Sequence, residues 1–293
     1  MYELIQVSEN CYYIQCPSKI GIVRLNKNDV MLIDSGNDKD TAKKIKRITD
    51  SMGWNIKMII NTHSHADHIG GNRYLQENTR CSVFAYGIEC DFINHTVLEP
   101  AFLFGADPVE ELKNKFLLAK ESNAEPLSES VLPEGFEIIP LPGHCFSMVG
   151  IKTPDGVVYT ADAYSSAETL EKYAIGYIYD VGAYLDTLEM LKNLDASYFV
   201  SSHTEAYENI TDILKLNIDT VKEIAEKICS FCKIPVNYEK LLQMLFDEYK
   251  LTMNPVQYVL VGNTVKSYLS YLKNQGRIKM SVTDNMLLWE SVQ

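Results

Sequence analysis

The stretch His63-Ser64-His65-Ala66-Asp67-His68 places three imidazoles and one carboxylate within six residues. Neutral imidazole and ionised carboxylate are ligands that borderline divalent metals such as zinc accept. The chain has only six histidines, so composition alone is a poor explanation for three of them in one short segment. The alternate positions His63 and His65 can face one ion while Asp67 and His68 turn toward another. The segment therefore predicts a metal site.

The sequence around this cluster predicts where it lies in the fold. A short apolar run at 58–60 precedes it and suits a buried strand. Further upstream, residues 39–52 have helical spacing, and β-rich runs at 11–15, 21–25 and 30–33 alternate with turn residues. We therefore expect an antiparallel meander followed by strand, helix and strand. The histidines then follow the carboxyl end of a strand, where α/β proteins place ligands and chemistry.

Three further candidate ligands, His144, Asp162 and His203, each follow a predicted strand or its exit turn. With the cluster they make up five of the six histidines and two carboxylates. That set is large enough to hold two metal ions with a bridging carboxylate and positions open for solvent. Taken singly, His144 or His203 is equally well explained as a core histidine. Taken together, the residues are better explained as one site than as core histidines and a solvated loop.

The order HxHxDH, then His, then Asp, then His resembles the metallo-β-lactamase superfamily of binuclear metallohydrolases. The resemblance runs from about residue 10 to residue 205, and every liganding position is filled. It implies one metal bound by His63, His65 and His144, a second bound by Asp67, His68 and His203, and a bridging Asp162. It also implies the αββα sandwich of the superfamily, which agrees with the mixed order of strands and helices. We therefore predict an α+β fold.

Two divalent ions at such a site define the expected chemistry. They lower the pKa of a shared water towards neutrality, which gives a hydroxide nucleophile, and a metal can polarise the scissile carbonyl or phosphoryl oxygen. Asp67 is the candidate to orient that hydroxide. Zinc is the expected metal, and the same ligands also accept iron or manganese.

Tyr164 is a further candidate on the resemblance alone. Lactonases of the superfamily use a tyrosine near the bridging aspartate to hold the substrate oxygen, and Tyr164 lies two residues after Asp162. The chain has 18 tyrosines, so a purely structural role for Tyr164 stays open at this point.

Departures from the family pattern narrow the expected activity. Metallo-β-lactamases proper generally carry Cys at the bridging position and a signal peptide, whereas this chain has Asp162, and residues 1–10 lack a basic and apolar leader. We therefore expect a cytoplasmic hydrolase that is not a β-lactamase. The leading hypothesis is hydrolysis of a thioester, lactone or other ester of a small metabolite. An RNA or phosphodiester hydrolase is the alternative, and a metal-binding regulator is the second alternative.

Composition and charge exclude several classes of protein. With 46% hydrophobic and 23% charged residues, the chain has the balance of a globular protein rather than a disordered one. Its net charge of -12 disfavours electrostatic binding to nucleic acid or anionic lipid. The sequence contains no run of about 18 apolar residues that could span a membrane. We expect a small-molecule substrate and no membrane partner, with nucleic acid not favoured and a homo-oligomer left open.

The change in sequence character near residue 233 predicts two domains. Residues 1–232 form the expected catalytic domain, which includes a helical insertion at about 94–133 with a helix over 109–120. Residues 233–293 contain helices followed by a terminal hairpin, an order that resembles a winged-helix unit. This segment carries seven basic and five acidic residues, a net charge of +2. We therefore predict a small, mainly helical, winged-helix-like C-terminal domain.

Overall fold

The computed structural model describes residues 2–292, so Met1 and Gln293, the outer limits of the two predicted domains, lie outside the described residues. Two β-sheets form the centre of the fold. The larger sheet contains, in spatial order, β1 (Glu3–Gln6), β2 (Cys11–Gln15), β3 (Ile20–Arg24), β4 (Asp29–Ile33), β5 (Asn55–Asn61), β6 (Ser82–Ala85) and β7 (Ala124–Pro126). The smaller sheet contains β8 (Glu137–Pro140), β9 (Val149–Lys152), β10 (Val157–Ala161) and β11 (Tyr198–Ser201), in the order β11-β10-β9-β8.

Helices lie between and after these strands. They are α1 (Lys39–Ser51), α2 (Ala66–Ile69), α3 (Asn72–Thr79), α4 (Glu89–Asn94), α5 (Leu98–Phe104), α6 (Ala167–Tyr173), α7 (Val181–Leu191), α8 (Thr211–Phe231), α9 (Tyr238–Glu248) and α10 (Pro255–Asn274). A terminal hairpin of β12 (Ile278–Thr283) and β13 (Met286–Ser291) follows. Among the residues described, no helix is both long and apolar enough to cross a membrane.

Strand direction divides the larger sheet into two parts. Strands β1 to β4 pair antiparallel, and β4 to β7 pair parallel. The antiparallel meander expected over 11–33 and the buried strand expected at 58–60 are both confirmed. Helix α1 makes the crossover between the first two parallel strands. It begins after Asp38, whose side chain accepts hydrogen bonds from the backbone N–H groups of Asp40 and Thr41.

The two sheets pack face to face. Tyr13, Met31 and Ile60 of the larger sheet and Ile151 and Val200 of the smaller sheet belong to one buried cluster. Helices α1 and α3 cover the outer face of the larger sheet, and α7 and α8 cover the outer face of the smaller one. The expected αββα layering and the α+β fold are therefore confirmed.

The segment 94–133 differs from its prediction. The helix expected over 109–120 is wrong, because only a short 3-10 turn, Glu110–Leu112, forms there. The Asn114 side chain accepts a hydrogen bond from the backbone N–H of Phe116 at 2.9 Å, a local turn that competes with a continuous helix. The helical part of the segment is α5, which lies earlier than expected.

The terminal segment contains helices and then a hairpin, in the predicted order. Leu245 of α9 and Leu269 of α10 lie in the same buried cluster as Leu188 of α7 and Ile218 of α8. The terminal helices therefore share a hydrophobic core with helices from the first part of the chain. The domain boundary at residue 232 and the likeness to a winged helix stay predictions.

Candidate metal centre

The ends of four strands bring all seven candidate ligands together. The cluster His63 to His68 follows β5 and continues into α2. His144 follows β8, Asp162 directly follows β10, and His203 lies just after β11. These strands belong to both sheets, so the site lies along one edge of the sandwich.

One group of donors consists of three imidazoles. The Nδ1 atom of His65 lies 3.1 Å from Nε2 of His63 and 3.0 Å from Nε2 of His144. One ligand atom from each ring lies within 4.8 Å of the other two. This is a compact set of nitrogen donors, which suits a divalent cation.

A second group combines imidazole with carboxylate. The Nε2 atom of His203 lies 3.1 Å from Oδ2 of Asp67 and 3.2 Å from Oδ2 of Asp162. The Nε2 atom of His68 lies 3.5 Å from Oδ2 of Asp67 and 3.4 Å from Oδ1 of Asp162. Asp162 Oδ2 is also 3.6 Å from His144 Nε2 in the first group. Asp162 therefore contacts members of both groups.

The backbone before Asp162 is shaped to present this carboxylate. The pairing of β10 with β11 shifts register between Tyr159 and Ala161, as in a β-bulge, which re-aims the side chains that follow. Ala161 has a φ of 51°, in the left-handed region that favours glycine. Among the described residues, Oδ1 of Asp162 is buried and has no hydrogen-bond partner. An orphaned carboxylate oxygen surrounded by imidazoles fits a bound cation.

The electrostatics differ between the two groups of donors. Burial, reinforced by neighbouring imidazoles, lowers the pKa of His65 and of His144 to about 4, so both are neutral at pH 7. Burial acts in the same direction on His203, but the carboxylates of Asp162 and Asp67 outweigh it and raise the pKa of His203 to about 10. These and other acidic neighbours likewise raise the pKa of His68 against the effect of burial. The first group is therefore ready to bind a cation, whereas the second must first release protons.

Comparison with known proteins identifies the family. Residues 8–203 match the family model of the metallo-beta-lactamase superfamily. The chain belongs to this superfamily. The resemblance seen in the sequence is thereby confirmed, and the expectation of an enzyme of the metallo-hydrolase class, one that uses divalent metal, is supported.

Individual relatives are more distant. A 140-residue segment is 27% identical to hydroxyacylglutathione hydrolase GloC of Haemophilus influenzae and covers 47% of this chain and 62% of that protein. A 184-residue segment is 26% identical to the probable metallo-hydrolase YybB of Bacillus subtilis and covers 61% of this chain and 77% of that one. This chain thus spans less than two thirds of the hydroxyacylglutathione hydrolases it matches.

The fold extends to a solved structure. A beta-lactamase domain protein from Burkholderia ambifaria superposes with a TM-score of 0.72 over 99% of this chain and 94% of that one, at 14% sequence identity. At this identity the likeness shows the fold alone.

Three acidic residues of this superfamily member were missed by the sequence analysis. Asp34 accepts hydrogen bonds from the backbone N–H and the hydroxyl of Thr62, each at 2.8 Å, and lies against His68. Its signal was available, since it is a polar residue at the carboxyl end of a strand. Glu89 accepts hydrogen bonds from Ser64 and from Ser147, which follows His144.

The third residue, Glu99 of α5, lies beside the first group. Its Oε1 atom is 3.6 Å from Nε2 of His65. Burial, reinforced by the carboxylate of Glu89, raises the pKa of Glu99 to about 8. No local pattern marks Glu89 or Glu99, because only tertiary packing brings α4 and α5 to the site.

Tyr164 lines the same cavity as four of the candidate metal ligands. The cavity has a volume of about 1000 Å³ and is lined by Tyr164 together with Asp67, His144, Asp162 and His203. The side chain is 1% exposed, and its hydroxyl has no hydrogen-bond partner among the described residues. The expected contact between Tyr164 and the substrate stays a prediction.

Proposed function

We propose that this protein is a metal-dependent hydrolase that cleaves a thioester, lactone or other ester of a small metabolite. The observation that carries the proposal is the convergence of both donor groups on Asp162 in the wall of a large cavity. The similarity to a protein named hydroxyacylglutathione hydrolase supports a thioester as the first substrate to test, because an acylglutathione is a thioester.

The donor groups support two divalent ions. One would be held by His63, His65 and His144, and the other by Asp67, His68 and His203, with Asp162 between them. When bound, such ions supply a water that is deprotonated near neutral pH and polarise the carbonyl of the substrate. Zinc is the proposed metal, because imidazole and carboxylate suit it; elemental analysis of the purified protein distinguishes it from iron and manganese.

The side chains of the chain have separate roles in this proposal. Asp67 accepts a hydrogen bond from the attacking water and orients it toward the acyl carbon. The hydroxyl of Tyr164 donates a hydrogen bond to the substrate oxygen on which negative charge develops. Water adds to the acyl carbon, the bond to sulfur or oxygen breaks, and the thiol or alcohol leaves with a proton. Asp162 holds the two donor groups at a fixed distance from each other.

A substrate panel tests the proposal. Thioesters, lactones, phosphodiesters and RNA are assayed with the metal-loaded protein and with Asp162→Ala. We expect hydrolysis of a thioester or lactone, and a fall to background in the variant together with a lower metal content. Asp186→Ala, at an exposed position of α7, is the matched control and keeps full activity.

Two outcomes would contradict the proposal, and one would expose a contaminating activity. Hydrolysis of RNA or another phosphodiester alone would favour the alternative function. A substrate that both proteins hydrolyse equally would reflect contamination. A fully active and fully metallated Asp162→Ala protein would remove the assigned role of Asp162.

A further inference from the structure

The cavity beside the candidate metal ligands also reaches helices α8 and α10. Its inner wall includes four buried aliphatic side chains: Ile178 before α7, Val221 and Ile224 of α8, and Val261 of α10. At about 1000 Å³ it lies at the upper end of the range for small-molecule sites. Attack on a carbonyl does not itself require such an apolar space. The cavity therefore has room for a part of the substrate that does not react.

We propose that this cavity holds the apolar acyl chain of the substrate, so that the enzyme prefers acyl thioesters or esters with long chains over acetyl ones. The inference rests on the hydrolase function proposed above. Asp67, His144, Asp162 and His203 line the same cavity. Whatever fills the inner part is therefore continuous with the group that reacts.

Polarity decides which end of the substrate enters. The inner wall combines these aliphatic side chains with buried tyrosines and Asn217, and burying a charged group there without a counter-charge would be costly. The outer part of the cavity includes the exposed residues Glu168, Lys172 and Phe116. A polar thiol carrier, such as a peptide or nucleotide thiol, is therefore accommodated at the outer part, and the hydrocarbon part of the acyl group extends inward.

Two buried tyrosines also line the cavity. Tyr164 is 1% exposed and Tyr268 of α10 is 0% exposed, and both line the cavity. Neither hydroxyl has a hydrogen-bond partner among the described residues. Since both hydroxyl oxygens are themselves shielded, the two rings add apolar surface to the wall.

The inner wall is connected to the metal ligands by one side chain. Asn217 of α8 accepts a hydrogen bond from the backbone N–H of Ser165 and donates one to its carbonyl, both at 2.9 Å. Ser165 lies three residues after Asp162. The helix that forms the wall is therefore fixed directly to the loop that presents the central carboxylate.

A chain-length series tests the inference. Thioesters of one small thiol with acetyl, butanoyl, hexanoyl, octanoyl and decanoyl groups are assayed with the metal-loaded enzyme. Each buried methylene contributes about 0.8 kcal/mol, so kcat/KM rises about fourfold per methylene until the cavity is full. A kcat/KM that does not change with chain length would overturn the inference.

A substitution that fills the cavity provides a second test. Val261→Phe adds a ring to the inner wall, and we expect the ratio of kcat/KM for octanoyl over acetyl substrate to fall at least tenfold. Val282→Phe, the same substitution at a 70% exposed position of β12, leaves the ratio unchanged. An unchanged ratio in Val261→Phe, with metal content and melting temperature retained, would contradict the inference.

A binding measurement separates this inference from the proposed function. Decanoate is added to the metal-free protein, and we expect it to raise the melting temperature of the wild type more than that of Val261→Phe. Stabilisation without hydrolysis of any thioester or ester would overturn the function and retain the acyl site. Hydrolysis without stabilisation or chain-length preference would retain the function and overturn the acyl site.

Discussion

The Nδ1 atom of His68 lies 2.8 Å from Oδ2 of Asp34, and both side chains are buried. An ionised carboxylate only accepts hydrogen bonds, so His68 donates through Nδ1 and presents Nε2, which can act as a ligand once its proton is released. Asp34 has a φ of 66°, in the left-handed region, and Thr62 holds it in place. A residue at the end of β4 therefore sets the tautomer of a proposed metal ligand.

Asp34→Asn should weaken metal binding. The amide still tolerates the left-handed backbone, but it is uncharged and holds the His68 tautomer less firmly. We expect the affinity for one of the two proposed ions to fall 10- to 100-fold, the usual effect of losing such a partner, as measured by competition with a chelator. Asp40→Asn, whose side chain is 78% exposed, is the control and should bind metal normally. Unchanged affinity for both ions in Asp34→Asn would refute the role of Asp34.

Metal binding should release protons unequally at the two donor groups. His65 and His144 have a pKa of about 4 and bind as neutral rings at pH 7.5, whereas the pKa of His203 is about 10 and that of His68 is also raised. Metal binding to the second group therefore displaces about two protons. Below the pKa values of these two histidines, the affinity of the group for metal rises by up to about 100-fold per pH unit. Calorimetry in buffers of different ionisation enthalpy measures the release. Loading without proton release would contradict the assignment.

Tyr164→Phe should slow hydrolysis without weakening the fold. Its hydroxyl has no hydrogen-bond partner within residues 2–292, so its removal breaks no hydrogen bond of that part of the chain. If the hydroxyl holds the developing charge on the substrate, we expect kcat to fall roughly 100-fold, with metal content and melting temperature unchanged. Tyr86→Phe, at a 39% exposed position, is the matched control. An unchanged kcat would assign Tyr164 a purely structural role.

Leu269→Ala should destabilise the whole molecule. Leu269 is 0% exposed in the core that α10 shares with α7 and α8, and such truncations cost about 2 to 5 kcal/mol of unfolding free energy. We expect one cooperative transition at lower denaturant concentration, with helical signal and activity lost together. Leu287→Ala, 42% exposed on β13, should change stability by about 0.5 kcal/mol or less. Two separate transitions would show instead that residues 233–293 unfold independently.

The candidate metal ligands could be predicted from the sequence because their signal is local. His63 to His68 are contiguous, and each remaining candidate ligand follows a strand or its exit turn. The position of Glu99 and the shape of the cavity depend on contacts between distant segments. Tyr164 and Val261, for example, line one cavity only in the folded chain. Strand β7 was also missed, because Ala124–Pro126 has no apolar alternation and forms through backbone pairing with β6. Local patterns do not encode such contacts.

The cavity wall and the candidate metal ligands come partly from different elements, which has an evolutionary consequence. Helix α10 contributes wall residues such as Val261 and Tyr268 but none of the candidate donor atoms. Substitutions there can alter which substrates fit without touching the groups that perform the reaction. Descendants of one ancestral enzyme could therefore diverge in substrate specificity while they keep the same reaction. We expect the sequence differences that cause this divergence to lie in α10.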